Sequence, residues 1–288
     1  MDLFGNLWYY GGKGDLNMGK FDGILLCTDL DDTLLQSDKS VSEENLRAIE
    51  YFKSEGGLFT FVTGRVPLGA KPVLRQVAPN APAVCFNGGV IYDFEEKRTL
   101  WSRTLPDSVL KAAEYIDNKL PYAGIEVCTA EKVYFCKVNN VVLEHQRLEE
   151  FPDNFVSYTA IPEKWSKVLF MVESEKMAEL RETVDNAPFA ADFSFVQSSP
   201  WYYELLPKGA NKGSGLGKLS EILDVPLTRV IACGDNENDL EMIKAAGCGV
   251  AVENAVDIVK DAADYITVGN NDNAIAAVIA DLGNGKLL

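Results

Sequence analysis

GILLCTDLDDTL, residues 23–34, decides how the rest of this chain is read. Its first half, Gly23 to Thr28, is a continuous apolar run, the pattern of a parallel strand buried on both faces. The run ends at Asp29, and Asp31 follows two residues later. In extended or loop backbone, alternate side chains can point to the same side of the chain. Two carboxylates held that close repel, so they need a cation between them or a proton on one. That suits a division of labour. One stays ionised as metal ligand and nucleophile, and the other exchanges a proton as general acid and base. An acidic surface loop after a strand would have the same composition, so the motif is weighed with what surrounds it.

Downstream, Ser42 reads as the N-cap of a helix over 42–55, with Glu43 and Glu44 in its first turn and Leu46, Ile49 and Phe52 at helical spacing. Gly56-Gly57 stops it. LFTFV (58–62) and AVCF (83–86) read as the next two strands, ending at Thr63-Gly64-Arg65 and Asn87-Gly88-Gly89. Strand, helix, strand in this order predicts a parallel sheet with right-handed crossovers. From about residue 100 to 204 the pattern changes. A helix over 107–120 is followed by strand-like VYFCKV (133–138), KVLFMV (167–172) and DFSFVQ (192–197), with a helix over 174–187 before the last. Strands without regular crossovers indicate an α+β unit on a partly antiparallel sheet. The first pattern then resumes: helix 211–223, strand 229–233 ending at Gly234-Asp235, helix 238–246, strand 249–252, helix 255–263, strand 265–268 and helix 274–282. The fold class is therefore α/β, with a doubly wound, mainly parallel Rossmann-like core sheet interrupted by an inserted α+β domain. Residues 20–100 and 205–288 form the core, 101–204 the insertion, and 1–19 a loosely ordered N-terminal extension.

Composition bounds the partners. The net charge is −16, which argues against nucleic acid or an anionic membrane as the main partner. It also repels a phosphorylated ligand, so an anion site here needs a local cation or a metal. No apolar run reaches the roughly 18 residues needed to span a bilayer, and the N-terminus lacks the basic start and apolar stretch of a signal peptide. The six cysteines have neither CxxC pairing nor zinc spacing, and most lie in apolar runs. Reduced core thiols in a cytoplasmic protein are the simplest expectation. A monomer or weak homo-oligomer is expected.

Three further stretches carry candidate chemistry, each at a predicted strand end or helix start, the edge where open α/β sheets bind ligands. Thr63-Gly64 offers a hydroxyl and an exposed backbone N–H to a phosphate, although such turns are common. Lys212, opening a helix within KGANKG (208–213), adds its ammonium to the positive helix end and attracts a dianion; a solvated surface lysine is the plain alternative, and Lys208 its nearest competitor. GDNEND (234–239) places Asp235 after an apolar strand, as Asp29 is, with Asp239 four residues on and on the same helical face. Oxygen-only ligands favour Mg²⁺; an aspartate at a helix start is equally an ordinary cap.

In order along the chain, these stretches resemble the haloacid dehalogenase superfamily of aspartate-nucleophile phosphotransferases over about residues 20–285. DLDDTL (29–34) resembles its DxDxT motif, and Thr63, Lys212 and GDNEND match its second, third and fourth motifs. FVTGR, the NGG at 87–89, LPKGANKG, GDNENDLEMI and GVAVENAVDIVKDAADYIT resemble the Cof-type branch, whose IIB cap is an α/β insertion between the second and third motifs. The resemblance implies a phosphatase acting on a small phosphorylated metabolite such as a sugar phosphate, with Mg²⁺ as cofactor and the cap selecting the substrate. Asp29 would form an aspartyl-phosphate. Asp31 would protonate the leaving oxygen and then activate water. Asp29, the Asp31 backbone carbonyl and Asp235 would ligate Mg²⁺, with Asp239 assisting. Thr63, Gly64, Lys212 and Asn238 would hold the phosphoryl oxygens. A phosphomutase of the same superfamily and a non-enzymatic phospho-acceptor domain are the alternatives. Asp31 argues against the acceptor, because a base beside the acyl phosphate hastens hydrolysis. Asp32 stands where glycine is common, and Asn273-Ala274 replaces a common acidic-Gly pair. Trp165, Lys167, Trp201 and Tyr202 are the cap candidates for substrate choice. His145, the one histidine, reads as a surface residue on a helix.

Overall fold

A computed structural model describes residues 19–288; the expected N-terminal extension lies outside this range except for Gly19. β1 (Leu25–Thr28) leads through a tight loop to α1 (Glu43–Ser54), where the Ser42 side chain accepts from the Asn45 N–H as an N-cap. β2 (Leu58–Phe61) follows, then α2 (Lys71–Leu74) and β3 (Ala83–Cys85), β4 (Val90–Asp93) and β5 (Arg98–Ser102). Next come α3 (Val109–Lys119), β6 (Gly124–Cys128), β7 (Val133–Lys137), α4 (Asn140–Leu148), β8 (Lys167–Met171), α5 (Met177–Asp185), β9 (Phe193–Ser199) and β10 (Tyr202–Pro207). The chain closes with α6 (Lys212–Leu223), β11 (Val230–Gly234), α7 (Leu240–Ala245), β12 (Cys248–Ala251), α8 (Asp257–Ala262), β13 (Tyr265–Ile266) and α9 (Ala274–Gly283).

The central sheet has five parallel strands in the order β13-β12-β11-β1-β2. Alternation along β1 sends Leu26 to one face and Leu25 and Cys27 to the other. Leu26, Phe59, Phe61 and Ile231 pack with Ile49 and Phe52 of α1 and Ile275 and Val278 of α9. Leu25, Cys27, Val230 and Ala232 pack with Leu216 and Leu219 of α6 and Met242 of α7. Both faces are covered, as a doubly wound α/β fold requires, and each of these fully buried Leu or Phe side chains contributes about 1.5–3 kcal/mol. The register places Thr28 opposite both Phe61 and Cys233. Asp29, Val62-Thr63 and Gly234-Asp235 therefore leave the sheet side by side at its C-terminal rim.

Residues 83–86 read in sequence as a further parallel strand, but the structure differs. β3 touches the central sheet through a single parallel bridge, Val62 to Val84, and belongs to a separate antiparallel sheet, β3-β4-β5. The reason is local. Phe86, Asn87 and Gly88 all have positive φ, at 55°, 51° and 97°, and turn the chain back on itself. A second five-stranded sheet, β7-β6-β8-β10-β9, has antiparallel pairing throughout and is built from the stretch expected as the insertion, with β10 running on to Pro207. One face of that sheet is covered by α3 and α5 through residues such as Ile116, Leu180, Val168 and Phe170. Five of the six cysteines are buried and all are free. No described helix is long and apolar enough to cross a membrane.

Gly88 fixes how the two halves of the core meet. A Cβ there would lie 2.0 Å from the Asn211 carbonyl oxygen, at the start of α6, and its φ of 97° is one that side chains rarely adopt. Gly88→Ala is expected to lower unfolding stability by about 2 kcal/mol, measured by urea denaturation; a loss under about 0.5 kcal/mol, the range of a neutral surface change, would show that the loop is not tied to α6.

Candidate active site

The rim loops converge on one buried ammonium. Lys212 opens α6, positioned by a capping box in which Asn211 and Ser214 satisfy each other's backbone N–H groups. Its side chain is fully buried. The Nζ lies 2.8 Å from Asp29 Oδ1 and 2.5 Å from Asp239 Oδ1. Lys212 is thus not the solvated surface lysine of the plain alternative, whereas Lys208 is exposed. Burial works to discharge the Lys212 ammonium, but Asp239 and Asp29 outweigh it and raise its pKa.

Asp29, Asp235 and Asp239 each bring a carboxylate oxygen within 4.8 Å of the others. Asp239 is at once a cap and an ion partner. Its Oδ2 accepts from the Asp235 and Asn236 N–H groups at 2.9 and 3.0 Å, while Oδ1 faces Lys212. Gly234 makes this possible, since a Cβ there would meet the Asp239 side chain at 2.5 Å. Thr33 donates to Asp235 Oδ1 at 2.7 Å, joining the first loop to the fourth. Three carboxylates share one ammonium, and the imbalance shows in their protonation. Burial, then the neighbouring carboxylates, push Asp29 well above the usual range against the pull of Lys212. Burial and Asp239 push Asp235 up to about 7. An all-oxygen cluster with surplus negative charge fits a hard divalent cation, which would relieve the repulsion that protons now relieve.

Asp31 is not in this cluster. Its carboxylate takes a two-pronged hydrogen bond from Arg65, Nε and Nη2 both at 2.8 Å, and a contact from Lys39 at 3.2 Å. Burial opposes ionisation here, but Arg65 and Lys39 outweigh it and hold the carboxyl at about 2. Asp32 is exposed, in a left-handed turn with φ 55°, and bears on Asp235 rather than on Asp31. Thr63 is buried, with its hydroxyl accepting from the Arg65 N–H at 3.1 Å. Asn238 donates to Asn87 Oδ1 at 3.1 Å. Gly64 offers its carbonyl to Lys167 Nζ at 3.2 Å.

That last contact crosses from the core to the insertion. Lys167, Glu204 and Glu126 stand on β8, β10 and β6, all buried. Lys167 pairs with Glu204 Oε1 at 3.2 Å, and Asn87 donates to Glu204 Oε2 at 2.9 Å. Glu126 accepts from the Cys128 thiol at 3.3 Å, while its Oε2 has no hydrogen-bond partner and lies 3.5 Å from His145 Nε2. His145 is consequently not a surface histidine. Its side chain is 12% exposed, packed against Tyr202 and Phe151, and burial plus the cations Lys167 and Arg65 lower it to about 4. Of the four cap candidates, Lys167 joins this cluster, Tyr202 meets His145 edge to face, Trp165 packs under α3 and α5, and Trp201 is exposed. Arg65, Asn87, Glu126 and Glu204 were given no role by sequence, and Thr33 entered only as the threonine of the DxDxT stretch. Arg65 and Asn87 sit inside the TGR and NGG stretches, where the glycines drew the reading.

The sequence profile of haloacid dehalogenase-like hydrolases matches residues 26–279. A 5-amino-6-(5-phospho-D-ribitylamino)uracil phosphatase of Bacillus subtilis is 30% identical over 275 residues, covering 89% of this chain and 96% of that relative. Among solved structures, a haloacid dehalogenase-like hydrolase from Bacteroides thetaiotaomicron superposes with a TM-score of 0.79 at 27% identity, covering 90% of this chain and 99% of its own. A subclass IIB sugar phosphatase shares the fold, with a TM-score of 0.76 at 18% identity and coverage of 90% and 99%.

Glu126 supplies a pH test of the buried polar cluster. Burial, offset in part by Lys167 and the Cys128 contact, raises its carboxyl from 4.5 to about 7. Folding therefore favours the protonated form. The resulting stability is complete below the ordinary glutamate pKa and is lost as pH rises through about 7. Thermal unfolding at pH 5.5 and pH 8 should show a smaller loss of Tm for Glu126→Gln than for the unaltered protein. Equal slopes would mean that Glu126 titrates as an ordinary glutamate.

Proposed function

Because this chain belongs to the haloacid dehalogenase-like hydrolases and is a phosphoric monoester hydrolase, we propose that it is of their subclass IIB and cleaves a small polyhydroxylated phosphate ester, of the sugar phosphate kind, through an aspartyl-phosphate on Asp29 with Mg²⁺ as cofactor. The observation that carries this reading is the buried ammonium of Lys212 between Asp29 and Asp239, with Asp235 beside them.

Asp29, Asp235 and the Asp31 backbone carbonyl would hold the ion, with Asp239 behind them. Bound there, Mg²⁺ would neutralise charge on the phosphoryl oxygens. Asp29 Oδ attacks phosphorus, and the bond to the leaving oxygen breaks. Asp31 delivers a proton to that oxygen. Water then attacks the aspartyl-phosphate, Asp31 takes its proton, and phosphate leaves with the Asp29 carboxylate restored. Lys212, the Thr63 hydroxyl, the Gly64 backbone and Asn238 hold the phosphoryl oxygens, and positioning with charge neutralisation is most of what this reaction needs. Asp31 as described is ionised, the state required for the second half. For the first half Arg65 must release it. Glu149, whose carboxylate lies 3.7 Å from Arg65, is a second acceptor for that guanidinium.

Residues 101–204 act in this reading as the cap. Lys167, Glu204 and Glu126 present one donor group and two carboxylate acceptors beside the Gly64 loop. Hydroxyl groups both donate and accept, so a polyol suits this set better than a second anion does. The Bacillus subtilis relative is named for a ribityl phosphate, which agrees with a polyol leaving group.

A panel of phosphorylated metabolites assayed with Mg²⁺ should yield a substrate. Asp29→Asn should lower its kcat by at least about 10³-fold, and a chelator should abolish turnover that added Mg²⁺ restores. Equal rates for Asp29→Asn and the unaltered protein would end this mechanism.

A further inference from the structure

A cavity of about 570 Å³ opens between the core and the insertion. The core supplies the stretch from Val66 through α2 and the β4–β5 hairpin, and the insertion supplies the turn joining β6 and β7. The volume is that of a small-molecule site. No residue assigned above to the phosphoryl group, the metal or the leaving group lines it.

Two features shape what it can hold. The first is an apolar floor. Leu68, Lys71 and Leu74 follow at three-residue spacing along the helical stretch 68–74, so each neighbours the next. Tyr92 and Phe94 alternate along the end of β4 and leave it on one side, their rings meeting edge to face with centroids 5.0 Å apart. Leu68, Leu74, Tyr92 and Phe94 pack on the core yet are only half-buried, so each keeps surface for a ligand to cover. The second feature is a set of cations at the mouth. Lys71, Lys97 and Arg98 are exposed and make no ion pair among the described residues. Lys132 lines the cavity from the insertion and is paired with Glu163; Glu131 is the one carboxylate among the described residues on the wall. In a chain of net charge −16, three unmatched cations around one opening are a local reversal of charge. Lysine and arginine stems do cover apolar surface while their charges stay in water. That accounts for the stems, but not for three like charges gathered beside half-covered rings.

We propose that this cavity is a binding site for a small amphiphilic anion, an apolar body with one carboxylate-like head, held across the joint between core and insertion. The body covers Leu68, Leu74, Tyr92 and Phe94, which removes apolar surface from water. The head accepts charge-assisted hydrogen bonds from Lys71, Lys97 or Arg98. A small hydrated polyanion would leave the floor exposed, and a neutral apolar molecule would leave the cations unmatched. The walls come from both halves of the molecule, so a bound anion favours the seated insertion over a displaced one by the contacts it makes to both. The site is separate from the catalytic rim, and its occupation does not require turnover or the phosphatase reading.

Octanoate is a probe with both parts. Calorimetric titration should find it bound with a Kd below about 1 mM. 1-Octanol lacks the charge and acetate lacks the apolar body, and each should bind at least about tenfold more weakly. The double variant Lys97→Glu/Arg98→Glu and, separately, Tyr92→Ala should each weaken octanoate binding by about tenfold or more. Octanoate should raise the Tm of the unaltered protein and leave that of the double variant where it was. Asp29→Asn, altered at the catalytic rim, should bind octanoate as the unaltered protein does. No binding of octanoate, binding unchanged in both cavity variants, or equal affinity for octanoate and either comparison compound overturns the proposal. A change of about tenfold or more in Asp29→Asn overturns it as well, because the anion would then sit at the catalytic rim. If Tyr92→Ala does not unfold cooperatively, the double variant, whose altered side chains are exposed, decides alone.

Discussion

A single ammonium inside a ring of carboxylates governs the catalytic rim. Lys212 has no access to water, and an unpaired charge there would be prohibitively costly. Asp29 and Asp239 make it tolerable, and it does the same for them. Much of the surrounding backbone serves this contact. The capping box of α6 fixes where Lys212 starts, Gly88 lets the neighbouring loop reach Asn211, and Gly234 makes room for Asp239. The pairing is deliberately incomplete in its charge. Asp235 adds a third carboxylate that Lys212 cannot neutralise, so protons are drawn into the cluster. A divalent ion would displace them, and with Lys212 it would offset the three carboxylates, so that a phosphate dianion no longer meets surplus negative charge at this rim. Affinity for the metal and dependence on it have the same electrostatic origin.

The same logic extends outward through Arg65 and Lys167. Each is a cation placed where core and insertion meet, and each is shared. Arg65 spans Asp31 of the core and Glu149 of the insertion. Lys167 spans the Gly64 carbonyl of the core and Glu204 of the insertion. Buried ion pairs rarely gain stability over apolar packing. Their use here makes better sense as register, because a shared cation can form all its contacts only when the insertion sits in one place over the rim. Glu126, with one oxygen unpaired, is the member of this network with capacity left for another donor.

How much of this was legible in the sequence depended on whether the cause was local. The five parallel strands, the helices with clear caps and the acidic strand ends follow from short-range patterns, and α1 with its Ser42 cap falls where the periodicity puts it. The antiparallel pairing of β3 with β4 was missed because its cause is three consecutive positive φ values at 86–88, the first of them at Phe86, a residue type that rarely adopts such a backbone. Lys167, Glu126 and Glu204 were hidden for another reason. Each is one polar residue in an apolar strand, and alternation alone does not say whether its face is covered by a helix or by the catalytic rim. His145 read as a surface residue because two of its neighbours, Tyr202 and Glu126, arrive through the tertiary fold, and Phe151 reaches it only because the chain folds back at the end of α4. Asp31 shows the limit most clearly. Its place in the motif implied a proton-transfer role, but the Arg65 pairing that holds it ionised is made between residues 34 positions apart.

Net charge proved a poor guide to the charge a site can accept. At −16 the surface repels anions at long range, yet that field is screened within about 8–10 Å at ordinary ionic strength. Buried cations are screened far less. Lys167 and Arg65 lie where core and insertion meet and Lys212 lies buried at the catalytic rim, and Lys71, Lys97 and Arg98, which make no ion pair among the described residues, line the cavity between core and insertion. The cations that matter to a ligand at the rim are thus buried ones, set among buried carboxylates such as Asp29 and Glu204, while much of the acidic excess lies where solvent and salt can mask it. An acidic exterior then costs little in affinity at working salt concentrations, while at low salt it would slow the arrival of a phosphorylated ligand more than it would hasten its departure.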